Sequence, residues 1–224
     1  MGIISVEQTV RLLWLGRYTE RVYTTLRLYY SSYDTMIDEG KNEGENAYAR
    51  FCQMIDIPDI YGSKEVFKEK YPFDEENPDS IFSNLNRAYD NAIMLREEIG
   101  SEALSYIQLA IYAMNKAKIS RAPFIELQRV MDNILAFWGI ADDNIDSEQT
   151  RNIIKTGKRI ERLDLYARLG VGRKELYREI CRLEPRVARS GIRYDAEKIK
   201  YMKELVEKPE IDYYKVVHEA ETIL

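Results

Sequence analysis

From Val6 to Asp38 apolar positions recur at steps of three or four, through Leu15, Tyr18, Val22, Leu26, Tyr29, Tyr33 and Met36. That spacing predicts one helix with a single apolar stripe. At 1.5 Å per residue it would be roughly 50 Å long, enough to run the length of the molecule. Ser5 and Gln8 supply a capping box at its start. Shorter helices are expected over Glu45 to Ile55 and Lys64 to Lys70, with Pro58 and Gly62 punctuating the loop between them. The acidic segment Asp74 to Ser80, broken by Pro78, reads as a loop feeding a strong helix to Ile99, where Gly100 and Ser101 stop one helix and start the next. Pro123 suits the first turn of a helix reaching about Asp143. Asp146 with Gln149 makes a second capping box, for a helix ending at Gly170. Three more helices are expected at Arg173 to Leu183, Ala196 to Val206 and Tyr213 to Ile223. No segment alternates convincingly as a strand does, so the expected fold is an all-α helical bundle.

Within this helical pattern one motif occurs twice. Gly16-Arg17-Tyr18-Thr19-Glu20-Arg21, then Arg27-Leu28, is matched by Gly157-Lys158-Arg159-Ile160-Glu161-Arg162, then Arg168-Leu169, at a constant offset of 141. Thr9 and Thr150, and Leu12-Leu13 against Ile153-Ile154, extend the match upstream. So long a period is no solenoid; it reads as duplication of a helical half inside one domain, 1–224, with halves near 5–100 and 123–224. At about 100° per residue, Gly16, Glu20 and Arg27 fall within roughly 40° of one another, nearly opposite the tyrosine-rich stripe. A glycine costs a helix about 1 kcal/mol, so its place on this second face predicts the close approach of another backbone. The two motif helices are therefore expected to cross near Gly16 and Gly157, each glutamate meeting an arginine of the other copy. The plainer alternative is a solvated pair along one helix, such as Arg17 with Glu20. Glu20 and Glu161 are also the candidates for acid–base work, should burial split their pKa values. Arg17, Arg21, Arg27, Lys158, Arg162 and Arg168 are candidate binding residues.

Composition narrows the picture. The 224 residues, 45% hydrophobic and 32% charged, suit one globular unit. The longest apolar run, Ile107 to Met114, is broken by Gln108 and too short to span a bilayer. The N-terminus lacks the basic-then-apolar order of a signal peptide, so the cytoplasm is the expected location. Cys52, Cys181 and the lone His218 have no zinc spacing and make no disulfide framework, and no cofactor is expected. The net charge of −5 conceals an asymmetry: Arg151 to Arg193 carries 13 Lys/Arg against 5 Asp/Glu, a local +8 that leaves −13 elsewhere. An acidic protein or a phosphorylated ligand would meet this segment first, which adds Arg173, Arg178 and Arg182 to the candidate binding residues. A pI near 5.2 and the lack of a glycine-rich or aromatic RNA-binding signature argue against nucleic acid. The 17 tyrosines, among them Tyr29, Tyr30, Tyr33, Tyr213 and Tyr214, exceed what one core stripe needs. With the arginines they suit a protein–protein surface, and homo-oligomerisation stays open.

Three blocks, taken in order, resemble the bacterial alpha-E domain family. The first is Ser5 to Met36 with Trp14-Leu15-Gly16-Arg17-Tyr18-Thr19-Glu20-Arg21. The second is Asn77-Pro78-Asp79-Ser80-Ile81 with Arg87-Ala88 and Asn91-Ala92. The third is Phe137-Trp138-Gly139 followed by Gly157 to Arg162. Asn144 to Ser147 and Arg151 depart from the family's pattern. The resemblance implies an all-helical protein that partners a circularly permuted ATP-grasp ligase or a transglutaminase-like protein in peptide synthesis or modification.

A reading from another class rests on Asp142-Asp143-Asn144-Ile145-Asp146, a DDxxD string in an all-α chain. Isoprenoid synthases use such strings to hold Mg²⁺ against a diphosphate, with a second acidic cluster facing the first. The best second cluster is Asp74-Glu75-Glu76. Alternatively, Asp142 and Asp143 end one helix and Asp146 caps the next. No nucleophile elbow or phosphate-binding glycine loop is present, and no self-sufficient catalytic set can be named.

Overall fold

The computed structural model describes residues 4–38 and 47–224, and every regular element among them is helical. The helices are α1 (Val6–Asp38), α2 (Ala47–Met54), α3 (Lys64–Lys70), α4 (Ile81–Met94), α5 (Arg96–Ile119), α6 (Pro123–Asn144), α7 (Glu148–Arg168), α8 (Arg173–Ser190), α9 (Ala196–Glu207) and α10 (Tyr213–Glu221), with a 3₁₀ turn at Tyr71–Phe73. α1 has the expected span, and its capping box is formed: Ser5 N donates to Gln8 Oε1 at 2.8 Å and Gln8 N donates to Ser5 Oγ at 3.1 Å. The expected start of α2 at Glu45 lies outside the described residues.

Four boundaries differ from expectation, each for a local reason. The helix expected to run to Ile99 breaks at Leu95 (φ −104°, ψ 17°), and a short turn follows before Gly100 bends α5 with φ 81°. The cap of α7 is Ser147, whose Oγ accepts from Thr150 N at 3.1 Å, and not Asp146. Ile145, 2% exposed, is held in the core, so the chain turns into the helix one residue later, and Gln149 packs against Gly191 instead. α8 continues through Pro185 to Ser190, because the stripe Leu176, Ile180, Leu183 and Val187 stays buried past the proline. Pro185 and Cys181, whose carbonyl loses its helical donor, both face solvent. α10 stops at Glu221, with the Thr222 backbone N–H bonded to the His218 carbonyl.

α1 and α7 form the central pair. α4 lies along α1, α5 pairs with α6, and α8 and α10 pack on α7 with α9 joining them. Buried apolar side chains sort into two clusters. One runs from Leu12 to Ile154 and the other from Ile160 to Ile223. The boundary between the clusters falls inside α7, between Ile154 and Ile160, so α7 ties the two together. Among the described residues, no helix is long and apolar enough to cross a membrane.

Candidate functional site

The α1–α7 crossing has no room for side chains at its centre. A Cβ on Gly16 would lie 2.0 Å from the Ile154 carbonyl oxygen, and one on Gly157 would lie 2.0 Å from the Leu13 carbonyl oxygen. These contacts are reciprocal at the sequence offset, since Leu13 and Ile154 are themselves matched positions. Four residues on, the glutamates reach across. Glu20 accepts from Arg162 Nε at 2.6 Å and Nη2 at 2.8 Å, and from the Thr24 hydroxyl at 2.8 Å. Glu161 accepts from Arg17 Nε at 2.7 Å on one oxygen and from Arg21 Nε on the other. Both glutamates are 0% exposed. Every carboxylate oxygen is held by an arginine, an arrangement that locks the two helices together.

Arg27, a candidate binding residue on the same face, stays outside this network. It is exposed, with its guanidinium 5.8 Å from the Tyr23 ring. Three turns beyond Gly16 its side chain faces solvent, and the residue four before it is a tyrosine. Its counterpart Arg168 follows Asp164 instead, and bonds it at 2.9 Å while also pairing with Asp56 at 2.7 Å and Glu221 at 3.3 Å. These residues, with Arg21, Asp79 and Glu161, wall a cavity of about 150 Å³. Burial raises the Asp164 carboxyl to about 6, Arg168 opposes the rise and Glu161 adds to it.

On another face of α7 the balance is cationic. Glu179 of α8, 1% exposed, accepts from Arg159 at 2.6 Å and Arg182 at 2.8 Å, with Arg178 at 3.9 Å. Lys158 lies beside this group with its ammonium nitrogen 3.6 Å from the centre of the Trp138 ring. Burial pushes its pKa down to about 7 from 10.5; Glu20 opposes the fall, while Arg162 and Arg159 reinforce it. The indole face favours the charged form and so opposes the fall as well. Glu179 was missed in the sequence, although a charged residue inside the stripe Leu176, Ile180, Leu183 was a readable signal.

The remaining expected residues are scattered. Arg173 donates to the Lys208 and Pro209 carbonyls and so clamps the α9–α10 connection. Asp142 pairs with Lys155, and Asp142, Asp143 and Asp146 are all exposed. Glu75 pairs with Lys118 at 2.7 Å, and Asp74 accepts from the backbone of Glu76 and Asn77 and from Tyr61. Lys118 ends α5 beside the start of α6, whereas Asp142 is at the far end of α6, roughly 30 Å along a helix of 22 residues. The two acidic strings thus do not face each other. Among the described residues, no group of three or more His, Cys, Asp or Glu is placed to hold a metal.

No curated protein and no solved structure matches the chain. Residues 10–180 match Alpha-E, described as a predicted alpha-helical domain with a conserved ER motif. Both Glu-Arg pairs at the crossing, Glu20-Arg21 and Glu161-Arg162, lie within that span. The chain belongs to the Alpha-E family.

Proposed function

We propose that the protein is a helical accessory subunit of an ATP-grasp-type peptide ligase or transglutaminase-like system, docking through the outer face of α8. The observation that carries this reading is a stripe of exposed cations. Lys174, Arg178, Arg182 and Arg189 recur along α8 at helical spacing, and all four are exposed. Tyr177, 37% exposed, lies beside them and supplies the aromatic contact that interfaces favour. The glutamates at the crossing are each paired with arginines across it, which supports a scaffold rather than an enzyme working alone. The ligase itself is what family resemblance suggests.

Charge-led docking acts on association rate and weakens with salt, because exposed charges more than about 8 Å apart are screened at physiological ionic strength. The test is co-purification with a candidate ATP-grasp-type ligase, at low and high salt, with Lys174, Arg178 and Arg189 changed to glutamate. Arg173 and Arg186 are poor choices, since they bond the α9–α10 connection and Asn152 within the fold. Association that fades with salt and with the three reversals is expected. Binding indifferent to both would remove the α8 face, and no association at any salt would remove the partner.

A further inference from the structure

Lys158 stands where Arg17 stands in the first motif, yet the two side chains meet different fates. Arg17 bonds Glu161. The matching carboxylate, Glu20, is already filled by Arg162 and Thr24, so Lys158 makes no ion pair with any described carboxylate. Its amine lies on the Trp138 ring, and the Trp138 indole N–H is itself buried without an acceptor. The side chain remains partly exposed.

The charged groups around it come from several elements. Glu20 on α1 and Glu179 on α8 favour the ammonium, while Arg159 and Arg162 on α7 disfavour it. Arg159 uses only Nη1 on Glu179, and Arg162 uses Nε and Nη2 on Glu20, so guanidinium donors are left over on both. A lysine amine with no carboxylate partner of its own, flanked by two arginines with unused guanidinium donors, is an arrangement for a reactive carbonyl attached to an anion.

We propose that Lys158 is a nucleophilic amine that forms an imine with an aldehyde or ketone carrying a phosphate or carboxylate, the anion resting against Arg159 and Arg162. The Lys158 Nζ lone pair attacks the carbonyl carbon, a C–N bond forms, and the C=O π pair moves to oxygen. That oxygen leaves as water with the two amine protons, giving C=N. The step needs no oxidant or reductant, and it is independent of docking at α8.

Pyridoxal 5′-phosphate serves as the probe, trapped with borohydride on the full chain near neutral pH and located by peptide mass mapping. Lys158 is expected to label at least about tenfold faster than the exposed Lys174 and Lys200, because a far larger fraction of it is neutral. Its rate should level off above its own titration, and excess inorganic phosphate should slow it. Lys158→Met should lose the fast label while melting cooperatively by circular dichroism. Labelling of Lys158 no faster than Lys200 would overturn the nucleophile, and a rate indifferent to phosphate would overturn the anion contact.

Discussion

Arg162 holds Glu20 through two parallel hydrogen bonds, Nε to Oε1 at 2.6 Å and Nη2 to Oε2 at 2.8 Å. Glu161 instead shares its two oxygens between Arg17 and Arg21. Removing one member of a buried pair leaves an uncompensated charge and costs about 3–5 kcal/mol. Glu20→Gln strands one guanidinium and Glu161→Gln strands two, so both variants should lose stability in urea denaturation, Glu161→Gln more. A double-mutant cycle of Glu20→Gln with Arg162→Met should return a clear coupling energy. Losses below about 1 kcal/mol for both single variants would mean the network is not what holds the crossing.

Gly16→Ala and Gly157→Ala place a methyl group 2.0 Å from a carbonyl oxygen, a backbone atom with no rotamer to give way. Overpacking costs about 1–3 kcal/mol where side chains can shift, and more where backbone must. Each alanine variant should therefore lose about 3 kcal/mol or more, despite the better helix propensity of alanine. Melting temperatures equal to the parent's would show that α1 and α7 can separate without cost.

The crossing was legible in the sequence because glycine in mid-helix has a cost that only close approach explains, and because two copies of the motif reinforce the same reading. The capping of α7 was not. Asp146 and Ser147 are both good caps, and the choice between them is made by Ile145 entering the core, a tertiary fact. Arg27 shares the face of Gly16 and Glu20 by its angle on α1, but whether it meets a carboxylate depends on what α7 places opposite it, which the angle does not record. The fate of Lys158 depends on which of two cations wins Glu20 and on Trp138 arriving from α6, neither of which a local pattern records.

Lys158 makes stability depend on alkaline pH. Its folded pKa of about 7 lies below the unfolded value of about 10.4, so across that interval the unfolded chain holds a proton that the folded chain has released. Stability from this group therefore rises as pH climbs above 7. Relative to Lys158→Met, the parent should gain up to about 2 kcal/mol between neutral pH and pH 9 in chemical denaturation. Parallel curves for the two proteins would show that the amine titrates as an ordinary lysine.

Asp164 acts in the opposite direction and in acid. Burial raises its folded pKa to about 6, against about 3.9 in the unfolded chain, so the folded protein prefers the neutral acid. The contribution is fully present below the unfolded value and is lost as pH rises through the folded one, a swing of up to about 3 kcal/mol. Asp164→Asn removes this titration while Arg168 keeps Asp56 and Glu221 as partners. The variant's stability relative to the parent should therefore increase from pH 4 to pH 7, whatever the absolute cost of the substitution. A difference that stays constant across that range would mean the Arg168 pair holds Asp164 ionised throughout, and that the cavity wall carries one more negative charge at mildly acidic pH than its burial implies.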